Sequence, residues 1–139
     1  MKQVTKEMIK EYKIKQFDFM GYDIKRKESL SFHHLIIPRR NCPKQGLGEG
    51  YYKWNGAILV QNTSHDYLHL IEHIDYDMFC AITSEMIDMN LKGKLDLQNL
   101  RYIRDVLLSF EREHDHDRGK KGHLLIKREY VNNRFSCLD

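Results

Sequence analysis

The chain has 139 residues, 41% of them hydrophobic and 31% charged, with a formal net charge of +3. That is ordinary globular composition, and the length suffices for a modest core without disulfide staples. Positive and negative residues interleave, so charge alone does not announce a polyanion partner, which a concentrated patch usually marks. Cys42, Cys80 and Cys137 are scattered and odd in number; they argue against a disulfide framework or zinc ribbon and for a reducing compartment. The opening "MKQVTKEMIKEYKIKQ" is too charged for the apolar run of a signal peptide, and no apolar stretch approaches membrane-spanning length. The expectation is a cytoplasmic protein with no membrane partner.

In chain order, residues about 3–13, "QVTKEMIKEYK", read as a short, basic, weakly amphipathic helix. In "QFDFMGYDI", Phe17 and Phe19 alternate with polar neighbours, as in a half-buried strand. "SLSFHHLII" is the better strand candidate and is stopped by Pro38. "NCPKQGLGEGYYK" carries Pro43, Gly46, Gly48 and Gly50 and reads as a loop. No Gly-Lys-Ser/Thr follows, so its glycines match no phosphate-cradling motif. "NGAILVQ" predicts a second short strand, and Asn62, Thr63 and Ser64 supply turn and N-cap chemistry for a helix beginning near His65.

That helix carries Leu68, Ile71 and Ile74. A second is predicted from about Asp75 to Asn90 on Met78, Phe79, Ile82, Met86 and Met89, with Gly93 as its C-cap. A third runs from Leu97 to Glu113 on Leu100, Ile103, Leu107 and Phe110. These stripes face a core. The tail after His114 is polar, and "HLLIKREYV" predicts one more strand or a docking segment. No repeat or linker divides the chain, which reads as a single domain over 1–139.

Four of the eight histidines fall in two tight pairs, His33/His34 and His65/His69. The second pair is spaced i, i+4 at a helix start, so both rings lie on one face and can share a metal ion. His73 continues the spacing and makes His69/His73 a rival pair, but it lies two turns, roughly 12 Å, from His65. The pair "HH" stands where Val or Ile would pack better. The run "HDHD" at His114–Asp117 is either a second metal cluster or a solvated helix end, and the latter reading is preferred.

A His-His strand, a glycine-bearing loop, a strand opening with Asn-Gly and a helix with His-x-x-x-His together resemble the HNH, or ββα-metal, endonuclease family. The residues carrying the resemblance are "HHLIIP", "NGAILV" and "HDYLH", from about Phe32 to Glu72, with ten residues from Asn55 to His65. The loop between His34 and Asn55 is longer than in compact members, and the paired cysteines that many members use for a structural zinc are absent.

The resemblance implies an α+β fold, a ββα-metal finger of β-hairpin plus helix, with accessory α-helices over about 75–113. It implies a single-metal DNA endonuclease in which His34 is the general base and His33, His65 and His69 hold one divalent cation. Asn55 is implied to brace the backbone so that the His34 ring stays aimed. An imidazole near pKa 6.5 is largely neutral at cellular pH and can deprotonate a water aimed at phosphorus. All-imidazole ligation suits Zn²⁺ or Ni²⁺, while oxygen ligands from solvent or phosphate admit Mg²⁺ or Mn²⁺. Consecutive strand residues point to opposite faces, so the strand is expected to end or bulge at His33–His34.

Arg39 and Arg40 either grip a phosphate near the scissile bond or form a solvated strand end. Further basic residues gather at Lys25, Arg26 and Lys27, at Lys44 and Lys53, and at Lys120, Lys121, Lys127 and Arg128. Each group is a phosphate-contact candidate or a solvated face. The expected partner is DNA, with RNA also open. The alternative function is a non-catalytic nucleic-acid-binding module that keeps the metal-held finger as structure; a third reading is an interaction protein whose histidines are incidental.

Overall fold

A computed structural model describes residues 2–41 and 51–114. It is an α+β structure of four helices and one antiparallel hairpin. Helix α1 spans Gln3–Glu11, strand β1 Leu30–His34, strand β2 Gly56–Val60, and helices α2, α3 and α4 span Ser64–Ile74, Tyr76–Lys92 and Leu97–Glu113. None of the described helices is long and apolar enough to cross a membrane. The glycine-bearing part of the loop, 42–50, and the segment "HLLIKREYV" lie outside the described residues, as do Cys42, Cys137, Lys44 and the basic residues from Lys120 onward.

The hairpin pairs Leu30 with Val60, Ser31 with Leu59, Phe32 with Ile58, His33 with Ala57 and His34 with Gly56. Two strands alone are marginal in water, and here the second edge of β2 is covered by the segment preceding β1. Phe19 N donates to Ile58 O at 3.1 Å, and Val60 N donates to Asp18 Oδ2 at 2.9 Å. This segment is where the sequence pattern predicts a strand over "QFDFMGYDI". It forms instead a tight turn closed by a single bridge between Phe17 and Asp23, with Gly21 at φ 84°. The reason is Asp18. Its carboxylate is fully buried and accepts from Met20 N at 2.9 Å, Tyr22 N at 3.0 Å and the Ser64 hydroxyl. A carboxylate satisfied by neighbouring amides bends the chain around itself and takes those amides out of any ladder.

Ser64 opens α2, so Asp18 also fixes the start of that helix. No side chain caps α2: the N-cap is Thr63, without a side-chain hydrogen bond, and Ser64 Oγ is spent on Asp18 and on Val60 N at 3.0 Å. Asn62 takes the left-handed turn position at φ 64°, which Asn tolerates well. Helices α3 and α4 follow the apolar stripes closely. Asp75 caps α3 by accepting from Met78 N, Asp96 caps α4 by accepting from Gln98 N, and Gly93 ends α3 in the left-handed conformation at φ 71°. Met86, Met89, Ile82, Ile103 and Leu107 are fully buried between the two helices and α2, and Leu68 and Ile71 join the same core.

The core reaches the hairpin through Ile58 and Leu59, both fully buried, and through Phe19, which stacks on Tyr12, the C-cap of α1, at 5.9 Å. A polar bracket adds to this. Asn90 of α3 donates through Nδ2 to Trp54 O at 3.0 Å and Gly56 O at 2.8 Å, and accepts from Tyr12 Oη at 3.1 Å. Helix α3 thus holds the backbone on both sides of Asn55.

Candidate metal centre

Alternation along β1 decides which rings meet. Ser31 and His33 share the face toward α2, while Phe32 and His34 share the other. The His33 ring centroid lies 5.0 Å from that of His65 and 5.0 Å from that of His69, and the two helix rings are 4.9 Å apart and nearly parallel. One nitrogen from each ring can be chosen so that all three lie within 4.8 Å of one another. The i, i+4 pair lies on one face of α2 and faces the strand histidine, and His73, one turn further along α2, is not in the cluster. The cluster is graded in depth: His33 is buried, His65 half-buried and His69 exposed. Were the three rings to hold one ion, the exposed His69 side would leave its outer face open to solvent.

Whether these residues suit a cation can be judged from their protons. His33 Nε2 is buried with no hydrogen-bond partner, a costly state for a neutral imidazole nitrogen unless something else occupies it. Burial, followed by the nearby His65, His69 and His34 rings, pushes the His33 pKa down to about 3. His65 is also lowered, chiefly by burial and then by His69, with Asp66 opposing. Both rings are thus held neutral, the form that ligates metal. The cluster fits a divalent cation preferring nitrogen ligands.

His34 turns the other way. Its ring meets the edges of Phe32 at 4.9 Å and Tyr51 at 4.8 Å, and its Nε2 is likewise buried without a partner. Burial, then the charges of Lys2 and Arg39, lower its pKa. The strand ends at His34 but does not bulge: the register is regular through His34 and Gly56, so the expected distortion reduces to a strand end. Tyr51 is in turn held by Lys2, whose Nζ donates to Tyr51 Oη at 3.0 Å and sits 4.1 Å from the ring centroid. Neither Tyr51 nor Lys2 carries a sequence signal that would have placed it here.

Asn55 is fully buried at the end of a short 3-10 turn, Lys53–Asn55. Its Oδ1 accepts from Ile36 N and Ile37 N, both at 2.8 Å, and its Nδ2 donates to Ile37 O at 3.0 Å. Its backbone carbonyl accepts from Leu35 N at 2.8 Å. Side chain and backbone carbonyl of Asn55 together clamp the three residues that leave His34. Gly56 has a different reason. A Cβ there would lie 2.0 Å from Phe32 Cε2, so the missing side chain is the space that the Phe32 ring fills.

Arg39 and Arg40 are exposed in a short 3-10 turn, Arg39–Asn41, after Pro38. Lys53 is paired with Glu11 of α1 at 2.5 Å. Where α2 meets α3, His114 lies 3.0 Å from Asp75, and with Glu113 these form a second group with ligand-capable atoms within 4.8 Å. Asp75 and His114 satisfy one another through a hydrogen bond, and Asp75 also caps α3, in keeping with a helix end; Asp115, His116 and Asp117 lie outside the described residues. Compared with protein-family models, with curated proteins and with solved structures, the chain finds no match.

Proposed function

We propose that the chain is a metal-dependent endonuclease of the HNH, or ββα-metal, type that hydrolyses DNA phosphodiester bonds with one divalent ion. The observation that carries this reading is the convergence of His33, His65 and His69, from a hairpin strand and the helix that follows it, on ring centroids about 5 Å apart. The hairpin β1–β2 and α2 correspond to the finger, and α1, α3 and α4 are accessory.

His33, His65 and His69 hold the ion. When bound, a divalent cation supplies neutralisation of the charge that builds on the phosphoryl and departing oxygens. His34 is the general base: its lowered pKa keeps the ring neutral and able to accept a proton from water, and it stands at the end of β1 on the face opposite the cluster, within electrostatic reach of His65. Asn55 holds the backbone that follows His34. Arg39 and Arg40 are exposed for phosphate contact, and the charge of Arg39 already reaches His34.

The test is incubation of the purified protein with supercoiled plasmid and, separately, with single-stranded DNA and RNA, in Zn²⁺, Ni²⁺, Mn²⁺ or Mg²⁺, each with and without EDTA. Metal-dependent nicking or linearisation, lost with EDTA, is the expected result. A gel shift without cleavage in every ion overturns the catalytic reading and leaves a non-catalytic nucleic-acid-binding module.

A further inference from the structure

We infer that Ser31 is a positioning residue that locks His65 in the tautomer with its proton on Nδ1 and so presents Nε2 to a cation. This rests on the metal centre proposed above and extends it to a residue that the ligand set does not include. Ser31 stands two positions before His33 on β1, hence on the same face. Its Oγ is 2.8 Å from His65 Nδ1 and 3.1 Å from Leu59 O on the paired strand.

A hydroxyl has one proton and two lone pairs. Leu59 O can only accept. If the Ser31 proton were given to Nδ1, lone pairs on Oγ and on the carbonyl would face each other across 3.1 Å with nothing between them. If the proton goes to Leu59 O, Oγ accepts from an Nδ1–H, and both contacts become hydrogen bonds. The second arrangement satisfies the network, and it fixes the lone pair of the His65 ring on Nε2. The exposed His69 ring has no such partner fixed on it: its Nδ1 lies 3.5 Å from the Glu72 carboxylate one turn further along α2, beyond hydrogen-bond geometry. With His33 Nε2 unpartnered, the strand ring and the His65 ring both offer Nε2 as a ligand atom. One strand face thus supplies both a ligand, His33, and the group that sets the proton of a second ligand. Such partners of ligating histidines typically matter to metal affinity by about 10- to 100-fold.

The experiment has two arms on the full chain. Long-range ¹H–¹⁵N spectra of the metal-free protein, with His65 assigned by comparison with His65→Gln, report which nitrogen carries the proton. The expected signature is Nδ1–H in the wild type and loss of that single tautomer in Ser31→Ala. Zinc titration then gives affinities: Ser31→Ala should bind Zn²⁺ roughly 10- to 100-fold more weakly, and Ser31→Thr, which keeps the hydroxyl, should recover most of the loss. A wild-type His65 protonated on Nε2 overturns the inference, as does wild-type zinc affinity in Ser31→Ala. The first of these readings needs no variant to fold. Protein that shows the expected tautomer and affinities yet leaves plasmid intact overturns the nuclease proposal and leaves the Ser31 assignment standing. Plasmid cleavage with unchanged zinc affinity in Ser31→Ala does the reverse.

Discussion

His33 and His34 are consecutive in β1, yet their rings leave the strand on opposite faces. The first meets His65 and His69, each 5.0 Å away; the second lies between Phe32 at 4.9 Å and Tyr51 at 4.8 Å. The ordinary strand pleat achieves this without a bulge. Because the two rings occupy different packing environments, one can be removed while the other keeps its neighbours.

Replacing His34 with Ala is therefore a clean separation of chemistry from ligation. The variant should lose plasmid cleavage by about 10²- to 10⁴-fold, the usual contribution of a positioned base. Its zinc affinity should stay at the wild-type value, since His33, His65 and His69 are untouched. Cleavage at the wild-type rate would show that another group takes the proton. A parallel loss of zinc would show that the two faces are not independent.

Asn55 makes a different kind of prediction, because its side chain serves backbone groups. Asn55→Ala abandons the Ile36 and Ile37 amides and the Ile37 carbonyl together. Buried groups left unsatisfied cost about 1–3 kcal/mol, so urea denaturation should show a loss of that order. Asn55→Asp keeps the acceptor for both amides and, once protonated at acidic pH, can still donate to Ile37 O, so in acid it should lose less than Asn55→Ala. Equal losses in the two variants would mean that the amide contacts are not what the side chain contributes.

The sequence made some of this legible and hid the rest for identifiable reasons. Helices α3 and α4 were readable because long runs such as Leu100, Ile103, Leu107 and Phe110 leave little doubt about period, and all four are buried. The His65/His69 pair was readable because i, i+4 spacing on a helix guarantees one face. The turn at Asp18 was not. Phe17 and Phe19 alternate as in a strand, and nothing in a lone aspartate announces that it will be buried and will gather three amides and a hydroxyl. Ser31 was hidden by the same ambiguity: a serine in an alternating strand reads as a solvent-side residue until its neighbour across the sheet is known. Gly56 was hidden too: its role is to make room for Phe32, which only the packing reveals.

Acidification gives a prediction that needs no substrate. His33 has its pKa pushed down to about 3 in the folded protein, largely by burial, against about 6.5 in an unfolded chain. Between those values the unfolded chain takes up a proton that the folded one refuses, so folding stability rises with pH across that window and falls as pH drops below about 6.5. His65, lowered in the same direction, adds to the slope. The melting temperature of EDTA-treated protein should therefore fall between pH 7 and pH 5. In His33→Leu, which keeps an apolar body at the buried position, the fall should be shallower. Parallel curves for the two proteins would show that the buried imidazole is not the group responsible.

The close approach of Phe32 to Gly56 yields the last test. A Cβ at position 56 meets Cε2, Cζ and Cδ2 of the ring at 2.0, 2.3 and 2.8 Å, so Gly56→Ala cannot be accommodated with the ring in place. The ring is itself packed against His34 and Tyr51, which limits where it can go. Forcing volume into such a site typically costs about 1–3 kcal/mol, and the displaced ring should carry His34 with it. Gly56→Ala should thus lower the denaturation midpoint and shift the His34 ring resonances more than those of His65 and His69, which lie on the opposite face. Trimming the ring in a Gly56→Ala/Phe32→Leu double variant should recover part of the Gly56→Ala loss, so that the two changes are not additive. Strictly additive losses, or His65 and His69 moving as much as His34, would mean that Phe32 does not support the His34 side of the strand.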